Sequence, residues 1–339
     1  MSGRDVTLPR TIRPVPIHLP PRHELPGTTI GVLGELEFQT LGGARGPEDV
    51  VIEEDGAVLT GVDDGRILRV RPGRATPEVV ADTGGRVLGI EPHPEGYVVC
   101  DAIAGVFLLE PGSGRLDLLF DRVDGEPLRY ANNAAVGADG TIYVSQSSTR
   151  HPFEATLAEE LEGVPSGRLL AHAPASGRTE VLASGLGFAN GVAVDPGGGA
   201  VIVAESLLAR LSRVPVGAGG TGAPEVLADL PGMPDNLAPT ADGTGVWVAL
   251  PAPRSSMLDA VLARPRLRQA IYALLRRLPG GAGAGPGSVV EVGFDGTVRR
   301  WLVDPQPPYR NITGAREHDG WLYLAGLTES RLARVRLPT

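Results

Sequence analysis

A glycine turn recurs six times, each copy is followed by a short apolar strand, and Gly (47) and Pro (31) are abundant while aromatics make up only 4%. Together these predict an all-β chain, a six-bladed β-propeller with a helical insert over one face. Counting back eight residues from each turn glycine aligns "EDVVIEEDG" (48–56), "LGIEPHPEG" (88–96), "NNAAVGADG" (132–140), "NGVAVDPGG" (190–198), "DNLAPTADG" (235–243) and "ITGAREHDG" (312–320). The strands that follow are "AVLTGV", "YVVCDA", "TIYVSQ", "AVIVAE", "GVWVAL" and "WLYLAG". Four of the six lead into a third strand, as in "GRILRV" and "SRLARVRL". One such unit cannot bury both its faces, so six of them must close into a ring.

Taken in chain order, residues 1–30 form a Pro- and Arg-rich tail, expected to wrap the domain or to be disordered. Residues 31–339 form the propeller. "GELEFQTL" (34–41) alternates in polarity and is expected to be the outer strand of the last blade, clasping the ring shut. Between the fifth and sixth units lies an insert, 254–280. Its Met257, Leu258, Val261, Leu262, Leu267, Ile271, Leu274, Leu275 and Leu278 recur at helical spacing, and Pro265 divides it into two helices, opening the second. Three readings stay open for it: a packed helical pair, a lid over an apolar pocket, or a membrane-facing patch with Arg264, Arg266 and Arg268.

Composition removes several function classes. A net charge of −9 argues against a nucleic-acid surface. There is no lysine, so all 31 basic residues are arginine, and Schiff-base, pyridoxal-phosphate and P-loop chemistry are excluded. The single Cys100 allows no intrachain disulfide and, within "YVVCDA", reads as a core thiol. No apolar run reaches membrane-spanning length and the N-terminus shows no signal-peptide core, so the expected location is cytoplasmic.

The repeat itself points to the site. In a propeller, equivalent positions lie on a ring around the axis. Here the slot eight residues before each turn holds Glu48, Leu88, Asn132, Asn190, Asp235 and Ile312. A single Asn or Asp there reads as a turn cap. Four oxygen donors in register, with no His or Cys, read as the ligand set of a hard cation: Ca²⁺, or another divalent ion. Asn133 and Asn236 follow the slot, Tyr130 precedes one by two residues, and His151 and Glu205 end nearby segments. With Leu88 and Thr313 they are the candidate pocket-lining residues. Asp235 and Asn132 are the candidate catalytic residues.

"GPEDVVIEEDGAVLTGVDDGRILRV", "LGFANGVAVD", "LPGMPDNL" and "EHDGWLYLAGL" resemble the strictosidine synthase-like branch of the six-bladed propellers. That superfamily also holds gluconolactonase (senescence marker protein) and the paraoxonases. The insert is similar to that of the adipocyte plasma membrane-associated protein-like branch. The resemblance covers residues 31–338. It implies a divalent metal on Glu48, Asn190 and Asp235, with the family's extra Asn at Asn132 and a paraoxonase-type Asp-Asn pair at Asp235 and Asn236. Where the synthases place an acid/base Glu this chain has Thr313, and where paraoxonases place a His it has Leu88. The leading expectation is metal-assisted hydrolysis of a lactone or ester with a bulky apolar body. The alternatives are a natural-product enzyme catalysing cyclisation, isomerisation or condensation, and a non-catalytic propeller plugged by calcium.

Overall fold

The computed structural model describes residues 8–22, 25, 27–217, 222–276, 285–303 and 309–337. Its described strands build six blades. The first strand of each is Val51–Ile52, Val87–His93, Ala131–Val136, Ala189–Val194, Leu237–Pro239 and Ile312–His318. First strands of neighbouring blades touch one another, so they surround the axis. Within each blade the strands pair antiparallel in chain order toward the rim. In blade 6 the outer strand is Glu37–Thr40, which pairs with Arg331–Arg336 and joins the two ends of the chain. Arg331 lies over the Phe38 ring at 3.6 Å in this closure. The preceding strand, Thr29–Val32, adds to the edge of blade 5 in parallel with Val298–Val303, a role the sequence did not reveal.

The second strands read as unbroken apolar runs because both faces are covered. Gly245–Leu250 is buried throughout. Alternate side chains point to opposite faces of a strand. Val246, Val248 and Leu250 therefore pack with Ile202 and Leu211 of blade 4, whereas Trp247 and Ala249 pack with Leu322 and Leu324 of blade 6. Cys100 is likewise core, between Val98, Ile142 and Val144, and burial raises its thiol well above the ordinary value.

Three helices cover one end of the ring. α1 (Thr156–Glu162) follows a short 3₁₀ turn, Phe153–Ala155, between the second and third strands of blade 3. α2 (Ser256–Leu262) and α3 (Pro265–Leu275) come from the insert. The Ser255 side chain caps α2 by accepting from Leu258 N at 3.1 Å, and Pro265 opens α3. The last part of the expected insert, including Leu278, lies outside the described residues.

The tail is not disordered over residues 8–22. It runs between α1 and the insert helices, with Ile12 and Ile17 buried. Val15 N donates to Glu162 O (3.0 Å), Ile17 N to Leu262 O (3.2 Å), and Tyr272 OH to Pro9 O (2.6 Å). The fully buried Arg268 guanidinium donates to Val15 O and to Glu162 O. The Pro-rich composition that suggested disorder supplies extended backbone, which needs partners rather than a helix or sheet of its own.

Candidate metal centre beneath a three-part lid

In blades 2, 3, 4 and 6 the slot sits in a β-bulge where an inner strand begins, whereas Glu48 and Asp235 lie just ahead of the first strands of blades 1 and 5. In blade 3, Ala131 faces Gln146 and Ala134 faces Val144, so Asn132 and Asn133 are the irregular pair. Blade 4 repeats this with Asn190 and Gly191, and blade 2 with Leu88 and Gly89. A bulge re-aims a side chain out of the ladder, which accounts for carboxamides at strand mouths. Blade 6 corrects the register. Ile312 faces Gly326 and Ala315 faces Leu324, which makes Thr313, not Ile312, the sixth slot residue. The turn glycine of blade 6, Gly320, stands seven residues after this slot instead of eight, so the glycine ruler slips by one. Ile312 is a core residue packed with Leu322 and Leu324.

The four oxygen donors are gathered at the axis. Glu48, Asn132 and Asn190 are buried, and Asp235 is partly so. Asn132 Oδ1, Asn190 Oδ1 and Asp235 Oδ1 are buried acceptors with no partner. The amide orientations follow from their serine neighbours. Ser147 Oγ donates to Ala189 O (2.8 Å) and Ser206 Oγ donates to Pro234 O (2.6 Å). Each hydroxyl has therefore used its only proton and can only accept. Asn132 Nδ2 accordingly donates to Ser147 Oγ at 2.9 Å, and Asn190 Nδ2 to Ser206 Oγ at 3.3 Å. Both amide oxygens are thereby turned away from the serines. Ser147 and Ser206 carry no catalytic signature and were not identified from sequence.

The carboxyls are electrostatically under-compensated. Burial, then Asp235 and Asp49, raise Glu48 well above the ordinary carboxyl value, with Asn236 and Arg86 opposing. Burial pushes Asp235 up to about 8, aided by the Asp49 and Glu160 charges and opposed by a hydrogen bond from Asn190. Asp49 is raised by burial against the nearby Arg316. No cation is among the causes acting on Asp235. Partnerless oxygens and crowded carboxyls are the local chemistry that a divalent oxygen-bound cation would satisfy. Among the described residues no group of three or more His, Cys, Asp or Glu could hold a metal, because this ring mixes carboxylates with carboxamides.

One residue further along each strand, polar residues and glycines alternate around the ring: Asp49, Gly89, Asn133, Gly191, Asn236 and Gly314. The polar members bond to one another across the axis. Asn133 Nδ2 donates to Asp49 Oδ2 (3.2 Å) and Asn236 Oδ1 (2.9 Å), and Asn236 Nδ2 donates to Glu48 Oε2 (2.8 Å). The glycines give them room. A Cβ at Gly89 would meet Asn133 Cα at 2.8 Å, and one at Gly314 would meet Glu48 O at 2.9 Å. Asn133 and Asn236 are therefore not pocket-lining. They form a buried network joining blades 1, 3 and 5.

The other candidates separate cleanly. Leu88 and Tyr130 belong to an apolar cluster over the ring with Phe188, Leu207, Ile17 of the tail and Leu262 of α2. Glu205 is not at the pocket. It is fully buried and accepts from Gly187 N (2.7 Å), Arg210 Nε (2.7 Å) and Ser212, shaping a turn. His151 borders α1 rather than the pocket, with Nε2 at 2.9 Å from Glu162 Oε2. Thr313 Oγ1 donates to Glu48 O at 2.8 Å, so it braces a ring residue. Sequence reasoning missed α1 altogether, although "EATLAEELEG" combines good helix formers with a closing glycine at positive φ (Gly163, 63°).

A six-bladed propeller with an axial ring of oxygen donors under an apolar lid defines the class of protein. Residues 47–257 match the SMP-30/gluconolactonase/LRE-like region, and the chain belongs to that family. It is 33% identical over 323 residues to the adipocyte plasma membrane-associated protein of Gallus gallus, covering 86% of this chain and 75% of that one. It is 29% identical over 308 residues to strictosidine synthase-like protein 4 of Arabidopsis thaliana, covering 89% and 82%. Among solved structures, a gluconolactonase from Xanthomonas campestris superposes with a TM-score of 0.65 at 17% identity, covering 97% of this chain and all of that one (100%). The calcium-binding protein regucalcin from Agrobacterium tumefaciens gives 0.60 at 15% identity, covering 91% and 95%. At these identities the structural matches establish the fold.

The comparisons correct one expectation. A cytoplasmic location does not stand, since the avian, rat and human relatives are named plasma membrane-associated proteins. No helix among the described residues is long and apolar enough to cross a membrane. The expectation rested on hydropathy alone, which registers spanning segments and not other modes of association.

Proposed function

We propose that this chain is a divalent-cation-dependent hydrolase of a lactone or ester with a bulky apolar body, and that the cation is calcium. The observation that carries this is the pair of serine-anchored amides, Asn132 and Asn190, which aim partnerless oxygens toward the same axis as Glu48 and Asp235. All four would be oxygen ligands, as calcium prefers. A bound cation would polarise the substrate carbonyl and stabilise the charge that develops on it.

The chain's own residues supply the rest. Asp235 is the one ring carboxyl with no nearby cation, and its free oxygen takes the proton of the attacking water. Leu88, Tyr130 and Phe188 form the apolar wall that receives the body of the substrate and excludes bulk water. The gluconolactonase fold and family support a lactonase-like reaction; the apolar cover favours a larger substrate than a sugar lactone.

Calorimetric titration of chelator-stripped protein with calcium tests the centre, and a panel of lactones and esters with and without chelator tests the reaction. Saturable binding lost in Asp235→Ala, together with chelator-sensitive hydrolysis, is the expected result. A protein that binds no divalent cation, or whose hydrolysis ignores chelation, overturns the proposal.

A further inference from the structure

α1 carries three glutamates within four residues, and their surroundings differ. Glu159 Oε1 accepts from Ser166 Oγ at 3.2 Å. Glu162 is engaged by Arg13 N (2.7 Å), Arg150 (2.9 Å) and His151 (2.9 Å). Glu160 makes no hydrogen bond or ion pair among the described residues.

The direction in which Glu160 faces is set by its helix. Residues four apart share a helix face. Four residues earlier stands Thr156, whose Oγ1 lies 2.8 Å from Tyr130 OH. Tyr130 belongs to the apolar cluster beneath the lid and precedes Asn132 by two residues, in a left-handed conformation (φ 58°). The face of α1 that holds Thr156 and Glu160 is thus turned to the ring. Electrostatics agree, because the Glu160 charge acts on both Tyr130 and Asp235. The Glu160 side chain is open to solvent although the surroundings of α1 are dense with protein. Burial, reinforced by Glu159, pushes its carboxyl up to about 7. The titratable groups within reach of its charge are Asp235 and Tyr130 at the ring and Glu159 on its own helix.

We infer that Glu160 is a catalytic acid contributed by the lid, which protonates the leaving alkoxide as the ester or lactone C–O bond breaks. This rests on the hydrolase reading above. The water oxygen bonds to the carbonyl carbon while one water proton passes to Asp235. The C–O bond then breaks, its electron pair leaves with the alkoxyl oxygen, and Glu160 passes its proton to that oxygen. The products are the carboxylic acid and the alcohol, and proton exchange with solvent resets both carboxyls. The substrate consequently lies with its acyl carbon toward the ring and its alkoxyl oxygen toward α1.

The test is Glu160→Gln, which keeps size and helix propensity but has no acidic proton. Esters of one acid are compared across leaving groups from nitrophenol to simple alcohols. A nitrophenolate leaves without help, whereas an alkoxide needs a proton. General-acid loss costs roughly 10²–10⁴-fold, so alkyl esters should slow by about that factor in kcat/KM while nitrophenyl esters change little. Calcium affinity should not change, and in the calcium-loaded protein the infrared spectrum at neutral pH should lose one protonated-carboxyl component in the variant. Glu160→Asp should fall between the two and guards against a folding defect in the first variant. Equal losses for both ester classes, or no loss for alkyl esters, overturn the inference and leave the hydrolase reading intact. A wild-type protein that hydrolyses no member of the series overturns both.

Discussion

Removing the cation should leave a protein whose stability falls as pH rises. In the metal-free ring Asp235 has a folded value of about 8 against an ordinary 3.8. Between those values the folded state holds a proton that the unfolded state has released, so stability declines with pH across that window and levels off above it. At about 1.4 kcal/mol per pH unit, the gap amounts to at most about 6 kcal/mol. Glu48 is raised as well and acts in the same direction. For 339 residues an unfolding entropy of roughly 2 cal/mol/K per residue gives about 0.7 kcal/mol/K, so the melting temperature should drop by up to about 8 °C. On the proposed reading calcium would bind the deprotonated ring and should oppose the decline, adding about 2.7 kcal/mol at a hundredfold excess over its Kd. The assay is thermal unfolding from about pH 4 to about pH 9, with chelator and with calcium. A metal-free melting temperature that is flat or rising, or the same slope with calcium, would refute the reasoning.

Four substitutions probe the rest of the architecture. Asn236→Ala removes the donor to Glu48 and the acceptor of Asn133, and should cost about 2–4 kcal/mol in denaturant unfolding, since buried polar partners are left unpaired. Ser147→Ala frees the Asn132 amide and should weaken calcium binding by roughly 10–100-fold without unfolding the protein, as loss of an outer-shell partner does; calorimetry reads it. Gly191→Ala would place a Cβ 2.3 Å from Leu237 N and 2.6 Å from Asp235 O, so calcium affinity should fall although Gly191 has no side chain to ligate. Arg268→Met breaks the guanidinium contacts to Val15 and Glu162; limited proteolysis should then cut residues 8–20 while the blades resist.

The repeat made most of the ring legible. In five blades the turn glycine stands eight residues after the slot, so one ruler found Glu48, Asn132, Asn190 and Asp235 together. It slipped only at Ile312, where the turn glycine stands one residue nearer the slot. The lid was half legible. The insert betrayed itself by helical spacing outside the repeat, but α1 is a single short turn-and-helix within blade 3, too brief for periodicity to speak. For the tail, local pattern left wrapping and disorder equally open. Its residues bond to α1 and to α3, segments roughly 150 and 250 residues away in the chain, and its order is a property of that sandwich.

What no single blade could disclose is the alternation one step past the slot. Asp49, Asn133 and Asn236 look like ordinary turn formers, and Gly89, Gly191 and Gly314 like ordinary breaks in strands. Their sense appears only when the ring closes. Three polar side chains reach toward one axis from blades 1, 3 and 5, and a Cβ at each glycine between them would run into the backbone of the next blade. The glycines therefore answer the neighbouring blade rather than their own strand. The consequence for the site is mechanical. Asn236 bonds Glu48 directly, and Asn133 bonds both Asn236 and Asp49, so a displacement at one ring carboxyl is felt by three blades. A floor tied across three blades in this way, beneath the tail, α1 and the insert that cover it, holds the oxygen donors in place.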